Sequence, residues 1–217
     1  MSSFTTFVDL TRACRKANVP VVFTLVAFYW RKRQGINLLA HPRTVVRNIQ
    51  NLTTKAGILS VGVDSFGFLT GDAGCLDIKG KLVTEGNVSL GPGCYLHIGP
   101  LATMVIGGLS YVTATSHFII NHGLVIGRDV AISWGCQFLD DDFHTLTYAG
   151  QVPKPDKSII IGDHVWIGSR VSVLSGAVIP TGCVVASGSV VTKAFSETNA
   201  LLAGNPAKVI RHNVEWA

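Results

Sequence analysis

No two cysteines in this 217-residue chain are spaced as Cys-x-x-Cys, and the five show no metal-ligand spacing. That speaks against zinc ribbons and thioredoxin-like redox chemistry. The five thiols (Cys14, Cys75, Cys94, Cys136 and Cys183) read as buried structural groups in a reducing compartment. Charge is also scarce: 14% of residues are charged and 47% hydrophobic. A solvated monomer is seldom so apolar, so part of the surface is expected to lie against other subunits or a membrane. Acid is nearly missing from residues 1–57, where Asp9 stands against nine Lys/Arg; residues 58–217 carry nine Lys/Arg and twelve acids. The basic character belongs to the N-terminal piece, and no nucleic-acid partner is expected. The apolar run at residues 19–30 would make roughly 18 Å of helix against roughly 30 Å of hydrocarbon. It should not span a bilayer, and no small-x-small site follows it to mark a signal peptide.

What stands there instead is a helical segment with basic ends. Arg12, Arg15 and Lys16 precede the run, and Arg31, Lys32 and Arg33 follow it. This suits either a membrane-surface anchor or a cap over the first turn of whatever follows. The corresponding location is cytoplasmic, with peripheral attachment through residues 12–33 to the inner face of the cytoplasmic membrane as one option.

The second feature present is a strict period of six. Ile161, Ile167, Val173, Ile179, Val185 and Val191 recur at that interval, with Val165, Val171, Ala177, Cys183 and Ser189 four residues after successive members. Neither a helix nor an ordinary strand demands this spacing. A solenoid does, because each six-residue rung forms one side of a triangular coil. The pattern starts loosely near Ile58 and is regular at Ile78, Thr84, Leu90 and Leu96. It slips near Ile98 and Ile106, then resumes at Phe118 or Ile120, followed by Ile126, Ile132 and Phe138. The expected organisation is a basic-apolar helical segment at 1–57, an all-β parallel β-helix of about six to seven coils at 58–194, and a cap at 195–217. A loop at 139–158 interrupts the coils, and a short helix is expected from Pro206 to Arg211.

Three stretches carry a family resemblance. Ile161-Gly162-Asp163-His164-Val165-Trp166-Ile167-Gly168-Ser169 resembles the "IGdnvWIGs" segment of left-handed β-helix (hexapeptide-repeat) acyltransferases. Ser187-Gly188-Ser189-Val190-Val191-Thr192-Lys193 resembles their "aGSvVtK", and Gly204-Asn205-Pro206-Ala207-Lys208-Val209-Ile210-Arg211 their "GnPAkvIr". Asp140-Asp141-Asp142-Phe143-His144 is similar to the "DtDfH" of O-acetyltransferases from surface-polysaccharide and related sugar pathways. The left hand of the coil is implied by the resemblance alone.

Acetyl transfer to a hydroxyl needs a base for the alcohol proton and donors for the thioester oxyanion. His144 is the candidate base, and Asp140 and Asp142 would orient its imidazole, both on one side if the segment is extended. The resemblance implies acetyl-CoA as cosubstrate, lodged between subunits of a homotrimer. On that basis the Ser169 amide faces the thioester, Ser187 and Thr192 bond the pantetheine, and Lys193 and Arg211 meet the phosphates. Trp166 would wall the coenzyme channel and Trp134 the acceptor site. The expected activity is O-acetylation of a sugar hydroxyl on a surface polysaccharide or its precursor, by direct transfer and without a metal. The alternatives are a soluble enzyme for free sugars or antibiotics, a γ-type carbonic anhydrase using His117 and His122, and a non-catalytic β-helical scaffold. Against the anhydrase, His97 stands too close to that pair to be a third ligand; His117 and His122 suit rung-edge or subunit contacts.

Overall fold

A computed structural model describes residues 7–63, 74–144, 147, 149 and 158–217. The chain opens with two helices, α1 (Phe7–Lys16) and α2 (Val21–Arg33). Leu10, Ala13 and Cys14 fall three and four residues apart on α1, which puts one stripe against α2. Asn18, at a φ of 52°, turns the chain after α1, and Pro20 opens α2 where its missing N–H costs nothing. α2 buries Thr24, Leu25 and Phe28. With Leu10, Cys14 and Val19, Leu25 and Phe28 cover Leu39 and Val63 at the start of the solenoid.

From Leu38 onward the strands stack in three sheets of nine, seven and six strands, parallel but for the last strand of the first sheet and visited in turn on each coil. This is a left-handed parallel β-helix. The period of six becomes ladders of identical inward positions. On the first sheet, Ala40, Val61, Leu90, Val112, Ile132, Ile167, Val185 and Leu202 pair in succession. The second sheet stacks Leu76, Leu96, Phe118, Phe138, Val173 and Val191; the rings of Phe118 and Phe138 lie 4.5 Å apart and nearly parallel. The third stacks Thr84, Ile106, Ile126, Ile161 and Ile179. Each fully buried aliphatic contributes roughly 1.5–3 kcal/mol, so the column supplies most of the driving force for coiling.

Cys94, Cys136 and Cys183 are fully buried at the small inward positions. Burial pushes the Cys94 thiol up to about 11 and raises those of Cys136 and Cys183. At the corners successive coils touch through backbone. A Cβ on Gly168 would stand 2.7 Å from the Ser187 nitrogen, so nothing larger than glycine fits without displacing the coil above.

Two boundaries differ from the sequence reading. The first coil is already built from Leu38–Ala40, Val45–Arg47 and Leu52–Lys55, so the solenoid begins at residue 38 and not 58. The C-terminal segment is not a helix. Ala207–Arg211 is a strand that runs back antiparallel along Leu201–Gly204, because the last parallel strand leaves a bare edge whose N–H and C=O groups need partners. Among the described residues no helix is long and apolar enough to cross a bilayer.

Candidate active site

The loop that interrupts the coils leaves the second sheet after Gln137–Leu139, and its first residue is anchored. Asp140 is fully buried, and its carboxylate accepts the amides of Asn121 (2.7 Å), His122 (2.9 Å) and Gly123 (2.7 Å) on the coil below. Charge-assisted bonds to three backbone donors make this a rivet between coils. Both oxygens are engaged, so Asp140 positions the loop and does not orient the imidazole. Asp141, to which the sequence assigned no role, continues the anchoring: it accepts the Phe143 amide at 2.7 Å and the Asn121 side-chain amide at 2.9 Å. The Phe143 amide, ahead of the contacts to Asn121 and His122, holds the Asp141 carboxyl below its ordinary value.

This two-residue turn, with Phe143 at a φ of 58°, means the segment is not extended. Asp140 therefore points inward while Asp142 and His144 are exposed, and the expected same-side pair is not formed. Of the rest of the loop, residues 145, 146, 148 and 150–157 lie outside the described residues.

The remaining candidates fall on the three edges of the prism. Thr192 and Lys193 follow the strand Val190–Val191 on the same edge as His144, two coils or roughly 10 Å further along the axis. The Lys193 ammonium lies 5.3 Å over the Phe195 ring.

Trp134, Ser169 and Ser187 form a column on a second edge. There the Trp134 carbonyl accepts the Arg170 amide, the Ser169 carbonyl accepts the Gly188 amide, and the Ser169 hydroxyl reaches the Ser187 hydroxyl at 3.3 Å. Arg211, opposite Leu201, marks the third edge; Trp166 lies on the first sheet between the second and third edges, its indole N–H reaching the Ser133 hydroxyl at 3.5 Å. A rung of six extended residues spans roughly 20 Å. The Ser169 column thus lies one side of the prism away from the point where the His144 loop leaves the second sheet.

The sequence also gave no sign of a cluster on that third edge. His164 takes the variable place in its motif, where it bonds Asp129 through Nδ1 at 2.7 Å and the Trp216 carbonyl through Nε2 at 3.1 Å. Its ring stacks on Trp216 at 4.3 Å, and the Trp216 indole N–H returns to the His164 carbonyl. Trp216 stands 6.4 Å from Trp166, so the C-terminal tail helps define the surroundings of a proposed coenzyme contact.

Three further histidines have neighbours of their own. His117 lies edge-on to Tyr95, His97 contacts Asp77 at 3.0 Å, and His122 approaches Asp141 at 4.0 Å. Among the described residues no three metal-ligating side chains stand together.

Comparison with known proteins gives these edges a context. Residues 158–193 match the family described as bacterial transferase hexapeptide (six repeats). A 24.8 kDa protein of the cps region of Klebsiella pneumoniae, itself uncharacterized, is 32% identical over 212 residues, covering 95% of this chain and 94% of that one. A polysialic acid O-acetyltransferase of Escherichia coli is 41% identical over 115 residues, covering 53% of this chain; the match spans 36% of that enzyme's length. In fold, the chain superposes on AntD, an N-acyltransferase from Bacillus cereus solved with dTDP and 3-hydroxybutyryl-CoA. The TM-score is 0.54 with 18% identity, covering 85% of this chain and 87% of that one.

Proposed function

Because the chain belongs to the hexapeptide-repeat transferase family, we propose that it transfers an acetyl group from acetyl-CoA to a sugar hydroxyl of a surface polysaccharide or its precursor. The observation that carries this reading is the riveted loop. Asp140 and Asp141 fix the chain to the coil below, and His144 emerges exposed three residues later. The likeness to a polysialic acid O-acetyltransferase supports a glycan acceptor, and the cps-region relative supports a surface polysaccharide.

In the proposed step a His144 ring nitrogen takes the proton of the acceptor hydroxyl as its oxygen attacks the thioester carbon. A C–O bond forms, the C–S bond breaks, and the imidazolium returns its proton to the departing thiolate. The products are the acetyl ester and coenzyme A with a free thiol. The Ser169 amide stabilises the oxyanion, with Ser187 and Thr192 along the pantetheine and Lys193 and Arg211 at the phosphates. Asp142 remains the candidate to orient the imidazole, Trp166 to wall the coenzyme and Trp134 to contact the acceptor.

Because these groups lie on different edges, the working site combines the His144 edge of one copy with the Ser169 column of another, in a homotrimer. The third sheet supports such a contact. Its outer face carries Val83, Val105, Val125, Ile160 and Val178 in unbroken register, with Val125 and Ile160 nearly half exposed.

The test is incubation with isotopically labelled acetyl-CoA and a panel of sialylated and neutral polysaccharides, lipid-linked glycans and free sugars, read by mass spectrometry. Label in an ester on a polymeric or lipid-linked glycan is expected; label on free sugars alone would overturn the polysaccharide assignment.

A further inference from the structure

The two N-terminal helices leave an apolar surface that the solenoid does not cover. α2 turns Thr24, Leu25 and Phe28 inward, while Val22, Phe23, Val26 and Trp30 face outward, each more than 60% exposed. Phe7 and Val8 of α1 extend the patch with similar exposure. The face is wider than a helix-packing stripe, and a groove of about 790 Å³ runs along it between the helices.

Its rim is cationic. Arg12, Arg15, Lys32 and Arg33 are all exposed, and Arg31 is partly buried behind them. The Lys32 ammonium lies 5.9 Å over Phe28, at the junction between the core of the hairpin and its rim. The one acid of α1, Asp9, is half-buried.

Apolar and aromatic side chains ringed by cations complement one kind of surface: a bilayer whose headgroups are anionic and whose acyl region begins beneath them. We propose that α1 and α2 form a docking face for an anionic glycerophospholipid membrane, with Phe23 and Trp30 entering the interface and the four exposed cations lying among the headgroups. α2 has thirteen residues and ends in three cations, so it lies along the surface without crossing it. The acidic excess of residues 58–217 keeps the solenoid off the same surface. This inference is independent of the acetyl-transfer reading.

The experiment is flotation of the full-length protein with vesicles of phosphatidylethanolamine and phosphatidylglycerol, and separately of phosphatidylcholine. Each cation near an anionic surface multiplies affinity roughly fivefold. The variant carrying Arg12→Gln, Arg15→Gln, Lys32→Gln and Arg33→Gln should therefore lose nearly three orders of magnitude on anionic vesicles, with circular dichroism unchanged. Phe23→Ser with Trp30→Ser should lose at least as much, because two exposed aromatics can no longer leave water. High salt should release the native protein from anionic vesicles.

Equal binding to both vesicle types, no binding to either, or anionic binding unaffected by both variants would overturn the proposal. So would a fall in sedimentation mass of the Phe23/Trp30 variant with vesicle affinity intact, since the face would then be a contact between copies.

Discussion

Asp140 and Gly123 are joined across adjacent coils, a carboxylate oxygen of the first accepting the amide of the second at 2.7 Å. With the Asn121 and His122 amides on the same side chain, one residue closes the turn of one coil and starts the loop of the next. Asp140→Ala strands three backbone donors and should cost about 3 kcal/mol or more. In a chain of this length that lowers Tm by roughly 10 °C. Asp140→Asn, which keeps the shape and one acceptor, should fall between. Thermal denaturation of the three proteins checks the order; equal midpoints would remove the rivet.

His144→Gln should lower kcat by at least roughly 10²-fold while acetyl-CoA affinity, read by titration calorimetry, stays near the native value. Near-native turnover would take His144 out of the mechanism.

Lys193→Ala should weaken acetyl-CoA binding roughly tenfold, the scale of one charge-assisted contact to a phosphate. A short acetyl thioester without phosphates should be used equally well by both proteins. A matching loss on the short thioester would instead assign Lys193 to the reacting end.

Alkali should destabilise the fold through Cys94. Its thiol titrates near 9.0 when exposed and is pushed up to about 11 by burial, so the unfolded chain loses its proton first as pH rises. The stabilisation is full below pH 9 and is lost between about 9 and about 11, amounting to roughly 2–3 kcal/mol. Urea midpoints measured across that window should fall, and Cys94→Ala should flatten the fall.

A charge in the aliphatic ladder should dissolve the proposed trimer. Ile160→Glu places a carboxylate on the outer face of the third sheet, where the isolated protomer tolerates it and a packed neighbour does not. Sedimentation should show monomers, with activity lost alongside the mass. A native-sized oligomer would move the interface elsewhere.

The period-six column was written plainly in the chain because every inward place faces the same environment. Ile161, Ile167, Val173, Ile179, Val185 and Val191 are all buried at 1% exposure or less. The first coil is not legible in that period, since Leu38, Leu52 and Leu59 do not keep the interval. The slip near Ile98 and Ile106 is a coil with longer strands, Tyr95–Ile98 and Thr103–Gly107, and both isoleucines remain inside. For the C-terminal strand, the Gly-Asn-Pro turn suits either outcome, and an unpaired sheet edge decided it. The anchoring role of Asp140 is not legible for a related reason: its partners lie seventeen to nineteen residues upstream, beyond any local pattern.

The reversed pair Leu201–Gly204 and Ala207–Arg211 bears on how large such a molecule can be. A parallel stack has no inherent stopping point, and each new turn offers the next a fresh template. Folding the chain back covers the parallel template of the first sheet with a strand of opposite direction, so the next parallel turn has no matching edge there to continue. Duplicating one turn ahead of the reversal would lengthen the particle by roughly 4.8 Å and leave both extremities unaltered.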